Sequence, residues 1–118
     1  MSAAEFRDSL VIRVDSREKQ NRHILEYFDN NAIPYSVLPL STGDYTIASP
    51  YVSFARDFAI ERKNSLEELA SCFFYNPARF ELELAGAAYL GTTLSLLIEN
   101  SSVEDLFFDC LLNIKSQT

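Results

Sequence analysis

The sequence predicts one α/β domain, with a mixed β-sheet of about five strands flanked by helices on both faces. Its 118 residues fit a single domain, and hydrophobic residues make up 47% of them, enough for a packed core. Short runs rich in β-branched residues alternate with segments whose apolar residues have the spacing of a helix. Their order predicts strand, helix, three strands, two helices, strand, helix. The helical connection between the fourth and fifth strands predicts that these two strands are parallel.

The first half of the chain holds four predicted strands and one helix. The apolar run 10–14 indicates a buried strand, and Ile24 and Phe28 share one face of a helix that stops near Asn30. Pro39 places the second strand at an edge of the sheet, because proline cannot donate a ladder hydrogen bond. The predicted strands are residues 10–14, 35–40, 44–48 and 57–61.

The hydrophobic period then changes from that of a strand to that of a helix. Ser65 and Glu68 have the spacing of a capping box, which predicts a helix start. Asn76-Pro77 predicts a second helix start, because proline is favoured at the first helical position. The remaining signals are a helix end at Gly91, a buried strand over 93–98 and a last helix opened by Ser102 and Asp105.

The charge balance limits the classes of function. A net charge of −7 argues against a broad electrostatic nucleic-acid binder. It does not exclude an enzyme that recruits Mg²⁺ to a small acidic site, because the metal supplies positive charge there. Residues 81–118 carry six acids and one base, whereas residues 1–80 carry eleven acids and nine bases. A surface that faces a polyanion is therefore expected in the first 80 residues.

Cysteine content and hydropathy bear on the compartment. Cys72 and Cys110 are too few and too far apart for a zinc site or a disulfide framework, and their apolar neighbours predict buried reduced thiols. No stretch approaches the roughly 20 apolar residues of a membrane span, and the first nine residues lack an apolar signal core. The sequence thus predicts a cytoplasmic protein with no membrane partner.

Asp44 and the later run Glu61-Arg62-Lys63 form the sharpest chemical pattern. If the third and fourth strands pair as a hairpin, the simplest register places Asp44 opposite Glu61, and Lys63 shares that face. Facing carboxylates repel unless a cation neutralises them, and Mg²⁺ takes one or two carboxylates. Phosphodiester hydrolysis uses such a metal together with an ammonium that stabilises charge on the phosphate. The alternative is a surface salt-bridge cluster on a solvated hairpin.

Asp15, Arg17 and Glu18 lie just past the first strand, where crevices form at strand carboxyl ends in open α/β sheets. An arginine there is suited to bidentate phosphate binding. The alternatives are a helix N-cap for Asp15 and ordinary first-turn charge for Arg17 and Glu18. Glu68 is assigned to helix capping, and Glu67 is either solvent-facing or a third acid near the site.

Other side chains that could take part in catalysis or binding are assigned structural roles. His23, the only histidine, is assigned a structural or surface role, because no zinc or general-base partner set accompanies it. The aromatic run Phe73-Phe74-Tyr75 is interpreted as core and helix end rather than as a platform for base stacking.

Four ordered motifs resemble the XPF-type nuclease domain. They are Val14-Asp15-Ser16-Arg17-Glu18, Gly43-Asp44-Tyr45, Ile60-Glu61-Arg62-Lys63 and Ser65-Leu-Glu-Glu-Leu69, within a resemblance that covers roughly residues 10–100. The resemblance implies a restriction-endonuclease-like fold, dependence on Mg²⁺ or Mn²⁺, and cleavage of branched or flapped DNA, as in repair or recombination. It also implies metal ligands (Asp44, Glu61 and, as a further candidate, Asp15), a catalytic lysine (Lys63) and supporting site residues (Arg17, Glu18 and Arg62).

The sequence also departs from the family pattern. The gap between Asp44 and Glu61 is longer than in eukaryotic and archaeal members, which suggests a bacterial or phage-like relative. The acid after Lys63 is either Glu67 or Glu68. No tandem helix-hairpin-helix module follows, and the chain stops where family domains continue. We therefore expect 1–118 to be a single nuclease domain that is either truncated at its C-terminal end or a minimal member.

Three functions compete at this stage. The first is a metal-dependent DNA endonuclease, the second a catalytically silent nuclease-fold module that binds DNA or a partner protein, and the third a purely structural interaction domain. Retention of the acidic residues favours the first. The predicted last helix carries an apolar stripe that Phe108 and Leu112 make wider than one buried face. That stripe predicts a homodimer or heterodimer through the nuclease domain, or cover by chain beyond residue 118.

Overall fold

The structure, a computed structural model, describes residues 1–52, 54 and 57–105. Within these ranges it contains five strands and four helices. They are α1 (Ala3–Asp8), β1 (Val11–Asp15), α2 (Arg22–Asn30), β2 (Tyr35–Leu38), β3 (Tyr45–Ala48), β4 (Phe58–Lys63), α3 (Leu66–Phe74), α4 (Pro77–Leu90) and β5 (Thr93–Ile98). None of the helices in these ranges is long and apolar enough to cross a membrane.

The five strands form one mixed sheet in the order β2-β1-β3-β4-β5. β1 runs parallel to β2 and antiparallel to β3, while β3 and β4 are antiparallel. β4 and β5 are parallel and joined through α3 and α4, as the crossover rule predicts. β2, which ends just before Pro39, lies at an edge. The predicted α/β class with a five-stranded mixed sheet is confirmed.

Helices cover the two faces of the sheet unequally. α2 packs over the β1–β2 half, where the rings of Phe28 and Tyr35 lie 5.6 Å apart. α3 and α4 cover the opposite face near β4, burying Leu69 and Phe80 on the side of the sheet that carries Ala59. The alternation of β4 shows in its burial, because Ala59 is 4% exposed and its neighbour Ile60 is 39% exposed.

The helix signals are confirmed by their hydrogen bonds. Ser65 Oγ accepts from the Glu68 amide at 3.1 Å at the start of α3. Pro77 occupies the first turn of α4, and Gly91 ends that helix with a φ of 71°. Ser102 and Asp105 form reciprocal capping bonds of 3.1 Å. The rest of the predicted last helix, with Cys110, Phe108, Leu112 and the dimer prediction, lies outside the described residues.

Two elements differ from the sequence predictions. α1 was not predicted, although Ser2 and Glu5 have the capping-box spacing and form both of its hydrogen bonds at 3.1 Å. β4 continues through Arg62 and Lys63 instead of ending at Glu61, because these two residues pair with Leu97 and Ile98 of β5. This extension fixes the side-chain directions of the candidate site.

Candidate active site

A cleft of about 470 Å³ lies between the loop after β1, the end of β4 and the α3–α4 corner. Of the seven site residues that the sequence predicts, six line this cleft, namely Arg17, Glu18, Asp44, Glu61, Arg62 and Lys63. The seventh, Asp15, is buried beside it. The topology thus brings together three chain segments that are far apart in sequence.

Asp44 and Glu61 meet across the β3–β4 pair. Tyr45 is paired with Ile60, which is the predicted register and sets Asp44 opposite Glu61. The Asp44 amide donates to the Ile60 carbonyl at 2.8 Å, and Asp44 Oδ2 accepts from the Arg62 amide at 2.7 Å. Glu61 lies in β4 and Asp44 directly precedes β3, so backbone hydrogen bonds of the sheet fix the positions of both residues.

Lys63 shares the face of Glu61, as predicted. Its Nζ lies 3.5 Å from Glu61 Oε1 and 5.8 Å from the centre of the Phe80 ring. Burial lowers the pKa of Lys63, but the Cys72 thiol and the Glu61 carboxylate outweigh burial, so its pKa lies above the ordinary lysine value. Lys63 is therefore an ammonium at neutral pH, held between an aromatic ring and a carboxylate.

The facing carboxylates are electrostatically strained in the absence of a cation. Burial is the main cause that raises the pKa of Asp44 to about 6, against the opposing hydrogen bond from the Arg62 amide. Burial and then the charge of Asp44 raise the pKa of Glu61 to about 7, with Lys63 opposing both. A single ammonium does not neutralise the pair, so the site favours a further positive charge.

The donor set fits a magnesium or manganese ion. Over the described part of the chain, no group of three or more His, Cys, Asp and Glu side chains is placed to hold a metal. Mg²⁺, however, binds proteins through one or two carboxylates and keeps several waters. Asp44 and Glu61 supply such a pair on neighbouring strands, in an open cleft with room for water and a phosphate.

Asp15 is a structural carboxylate in this arrangement. Arg17 Nε donates to Asp15 Oδ2 at 3.0 Å, and the Leu40 amide donates to Oδ1 at 2.8 Å. Burial raises the pKa of Asp15, but the hydrogen bonds from Arg17 and Leu40 outweigh it, so the pKa lies below the ordinary value. α2 begins after Asn21, so the alternative of Asp15 as a helix N-cap is wrong. Asp15 fixes the loop after β1 to the end of β2.

Arg62 points to the opposite face of β4 from Glu61 and Lys63. Its guanidinium is ion-paired to Glu99 and lies 3.5 Å from Glu18 Oε2. It also donates to the carbonyl oxygens of Lys19 and Gln20 at 3.3 and 3.0 Å. Arg62 therefore anchors the loop that forms one wall of the cleft, and its donors are occupied by protein acceptors.

Glu99, which was not among the predicted site residues, is the main partner of Arg62. It accepts from Arg62, and His23 Nε2 lies 2.7 Å from Glu99 Oε2. Its sequence signal is an acid placed directly after β5, at the same end of the sheet as the other acids. The prediction that β5 is buried is wrong, because β5 is an edge strand of the sheet and all its residues are exposed or half-buried. The His23 side chain is 56% exposed and contacts the described chain here through Glu99, so the structural or surface role assigned to it stays a prediction.

Two further assignments are resolved by the structure. Glu68 lines the cleft and accepts from the Asn64 amide at 2.9 Å, whereas Glu67 is exposed on α3 and does not line the cleft. The capping role predicted for Glu68 is confirmed, and of the two exposed acids only Glu68 lines the cleft. Cys72 was predicted to be a core thiol, but it is only partly buried and lines the cleft beside Lys63.

Gly43 sets the backbone direction that presents Asp44. Its φ is 73°, and a Cβ at this position would lie 2.8 Å from the Ala59 Cβ. We therefore expect Gly43→Ala to lower the free energy of unfolding by about 2 kcal/mol, since it adds a clash to a left-handed backbone. Gly86→Ala is the matched control, because a Cβ in α4 at Gly86 meets nothing within 4 Å. Urea denaturation measures both, and equal effects would contradict the assignment.

The raised carboxylate pKa values make metal-free stability depend on pH. Asp44 and Glu61 bind protons more tightly in the folded state (about 6 and about 7) than their ordinary values of 3.8 and 4.5. The contribution of these two carboxyl groups to stability is thus fully present below about pH 4 and is lost as pH rises through about 7. In EDTA, Asp44→Asn should raise the melting temperature at pH 8 more than at pH 4, measured by circular dichroism. Asp29→Asn on exposed α2 is the control, and a lower melting temperature at pH 8 would contradict the prediction.

No family model matches this chain, and no curated protein or solved structure matches it. The chemistry of the cleft therefore has to be argued from the residues that line it.

Proposed function

We propose that this chain is an XPF-type nuclease domain with a restriction-endonuclease-like fold, which hydrolyses phosphodiester bonds in branched or flapped DNA with Mg²⁺ or Mn²⁺. The observation that supports it best is the set formed by Asp44, Glu61 and Lys63, two facing carboxylates and an ammonium in one open cleft. The proposal places the protein in the cytoplasm, or in the nucleus of a eukaryotic cell, where such DNA occurs.

Each residue of the set has a distinct role in the proposal. Asp44 and Glu61 would hold the cation, which polarises a phosphoryl oxygen and lowers the pKa of bound water. Lys63 donates to a non-bridging phosphate oxygen and stabilises the negative charge that develops there. The Phe80 ring and the Glu61 carboxylate hold the ammonium in place, so it needs little reorganisation during the reaction.

The charge distribution of the cleft suits a metal-dependent approach of DNA. Its floor carries the carboxylates of Glu18, Asp44 and Glu61, whereas exposed Arg17 and Arg79 lie at its rim. The acidic floor repels a phosphodiester until a divalent cation neutralises it. DNA binding at this site should therefore require the cation.

The test is cleavage of labelled DNA in a gel assay. A flap and a splayed-arm substrate are incubated with the protein at pH 8 in Mg²⁺, in Mn²⁺ and in EDTA, beside duplex DNA of the same sequence. Cleavage of the branched substrates with either metal, and none in EDTA, is expected. Arg22→Ala serves as the surface control and should cleave like the wild type, because Arg22 pairs only with Glu26 on exposed α2. Intact branched DNA in both metals would overturn the proposal.

A catalytically silent module that binds DNA or a partner protein is the second candidate. The observation that favours it is the engagement of Asp15 and Arg62 in structural contacts, which leaves fewer free site groups than the family motif implies. Calorimetric titration with Mn²⁺ separates the two functions. The nuclease requires binding that Asp44→Asn weakens, whereas a silent module or a structural domain predicts no such dependence.

We also propose that the domain dimerises through the predicted last helix. The apolar stripe with Phe108 and Leu112 is the sequence feature that supports this assembly. Size exclusion with light scattering should give a mass of about twice that of one chain, and Phe108→Asp with Leu112→Asp should reduce it to one. A monomeric wild type would exclude the dimer, and a dimer unaffected by the double change would place its interface elsewhere.

A further inference from the structure

Tyr75 stands at the mouth of the cleft, at the corner where α3 ends and α4 begins. It lines the cleft and is 79% exposed, so of the two roles predicted for the run Phe73-Phe74-Tyr75, core and helix end, Tyr75 has the second. The cause is the helix end, because α3 stops at Phe74 and the Tyr75 backbone closes its last turn by donating to the Ser71 carbonyl at 2.9 Å. The ring therefore projects past the helix instead of packing beneath it.

The other aromatic residues of α3 and α4 differ from Tyr75 in exposure or in position. Phe80 also lines the cleft, but it is buried under Lys63 and supports the floor of the site. Phe73 packs against Phe80 with ring centres 5.2 Å apart. Tyr89 is 90% exposed on α4 but does not line the cleft. Tyr75 combines high exposure with a position on the cleft wall, which leaves most of its surface open to a ligand.

Polar and cationic groups surround this ring. Asn76 and Arg79 lie on the same wall as Tyr75, and Arg17 and Lys19 lie on the facing loop. The guanidinium of Arg79 is largely solvent-exposed and lies 3.7 Å from Glu83, a distance too long for a tight ion pair. An aromatic platform beside a cationic rim is the arrangement with which proteins hold single-stranded nucleic acid.

The size of the cleft agrees with a single strand. About 470 Å³ is the volume of a small-ligand site, which is large enough to take an unpaired base with its phosphate. A base in a duplex is paired and stacked, so its face is not free to meet Tyr75. A base in a flap or in a splayed arm is free to do so.

We propose that the Tyr75 ring stacks on an unpaired base and thereby selects single-stranded DNA next to the phosphate that Lys63 faces. That the stacked base lies next to the phosphate at Lys63 rests on the proposed nuclease function. Stacking of a base on Tyr75 requires only that the protein binds single-stranded DNA. Tyr75 is then a residue that determines substrate specificity at the cleft mouth, and the largely exposed guanidinium of Arg79 contacts a flanking phosphate.

The chain contains no tryptophan, so one substitution places a single fluorophore at the site. Tyr75→Trp is titrated with a ten-nucleotide oligothymidylate in Ca²⁺, and Tyr89→Trp serves as the matched exposed control. Emission of the Tyr75→Trp protein should be quenched by the oligonucleotide, and emission of the Tyr89→Trp protein should not. A duplex of the same length should leave both unchanged. Absence of quenching, or equal quenching of the two variants, would overturn the proposal.

Affinity provides a second, independent measurement that does not use the tryptophan variants. Tyr75→Ala should bind a labelled oligothymidylate about tenfold more weakly than the wild type, while Tyr75→Phe should bind equally well, because stacking needs the ring and not the hydroxyl. An abasic oligomer should bind wild type and Tyr75→Ala alike. If Tyr75→Ala weakens both oligomers equally, the residue acts on the backbone or on folding, and the stacking proposal fails.

The failure of this proposal is distinguishable from the failure of the nuclease function. A protein that cleaves flap DNA, but shows no quenching and no effect of Tyr75→Ala, is a nuclease without this stacking site. A protein that cleaves nothing, yet shows quenching that depends on Tyr75, keeps the stacking site and loses the nuclease function.

Discussion

Lys63→Ala is expected to lower the rate of DNA cleavage by roughly 10²-fold or more while leaving the affinity for Mn²⁺ nearly unchanged. In the proposed mechanism the Lys63 ammonium does not coordinate the cation, and its charge would act on the phosphate. Asp44→Asn is expected to differ in kind, because it removes a ligand and should lower both Mn²⁺ affinity and cleavage. Calorimetry with Mn²⁺ and single-turnover cleavage of a flap substrate measure the two quantities.

Lys63 is buried, so a control must separate the effect of its substitution on stability from the effect on cleavage. Its stem packs toward Phe80, so Lys63→Met preserves most of the apolar contact and removes only the charge. Lys63→Met should show the same loss of cleavage as Lys63→Ala, with a melting temperature closer to that of the wild type. Equal losses of Mn²⁺ affinity in the lysine variants and in Asp44→Asn would contradict the separate roles.

The pair formed by Asp44 and Glu61 could be predicted because its determinants are local. A short hairpin with a simple register sets the two residues opposite each other, and the two-residue period of a strand then carries Lys63 to the same face. The helix starts at Ser65 and Pro77 were predictable for the same reason, since a cap depends on residues only a few positions apart.

Because side chains alternate along a strand, the sequence also implied that Arg62 faces away from Glu61. The partners of Arg62 were not predictable. Glu18 lies 44 residues before Arg62 and Glu99 lies 37 residues after it. Only the sheet order, which sets β1 and β5 on either side of the β3–β4 pair, brings these acids to one guanidinium. The hydrogen bond that the Leu40 amide donates to Asp15 likewise depends on the parallel β1–β2 pairing.

Tyr75 shows a further limit of local sequence patterns. An aromatic run at a helix end indicates core packing by composition, yet Phe73 stays 50% exposed although one contact of its ring is with Phe80. Whether the last aromatic residue packs or projects depends on where α3 ends, and a helix boundary is uncertain by one or two residues in a sequence pattern. The one-residue difference between Phe74 and Tyr75 decides which ring reaches the cleft.

Arg62→Met is expected to lower the free energy of unfolding by about 3–5 kcal/mol, the cost of breaking a buried ion pair on one side. The Arg62 side chain is 4% exposed, and methionine would leave the carboxylates of Glu18 and Glu99 without their cation. Urea denaturation measures the loss. Arg22→Ala is the matched control, because its exposed pair with Glu26 within α2 contributes below about 0.5 kcal/mol.

The same substitution separates the two roles that Arg62 has been given. If Arg62 only anchors the loop at Lys19 and Gln20, adding Glu99→Gln to Arg62→Met should recover part of the lost stability, because a half-buried carboxylate that has lost its arginine partner is made neutral. Cleavage by the double variant should recover with stability at low temperature, where the fold is populated. A double variant that regains stability but cleaves at the level of Lys63→Ala would contradict the structural role and return Arg62 to direct phosphate contact.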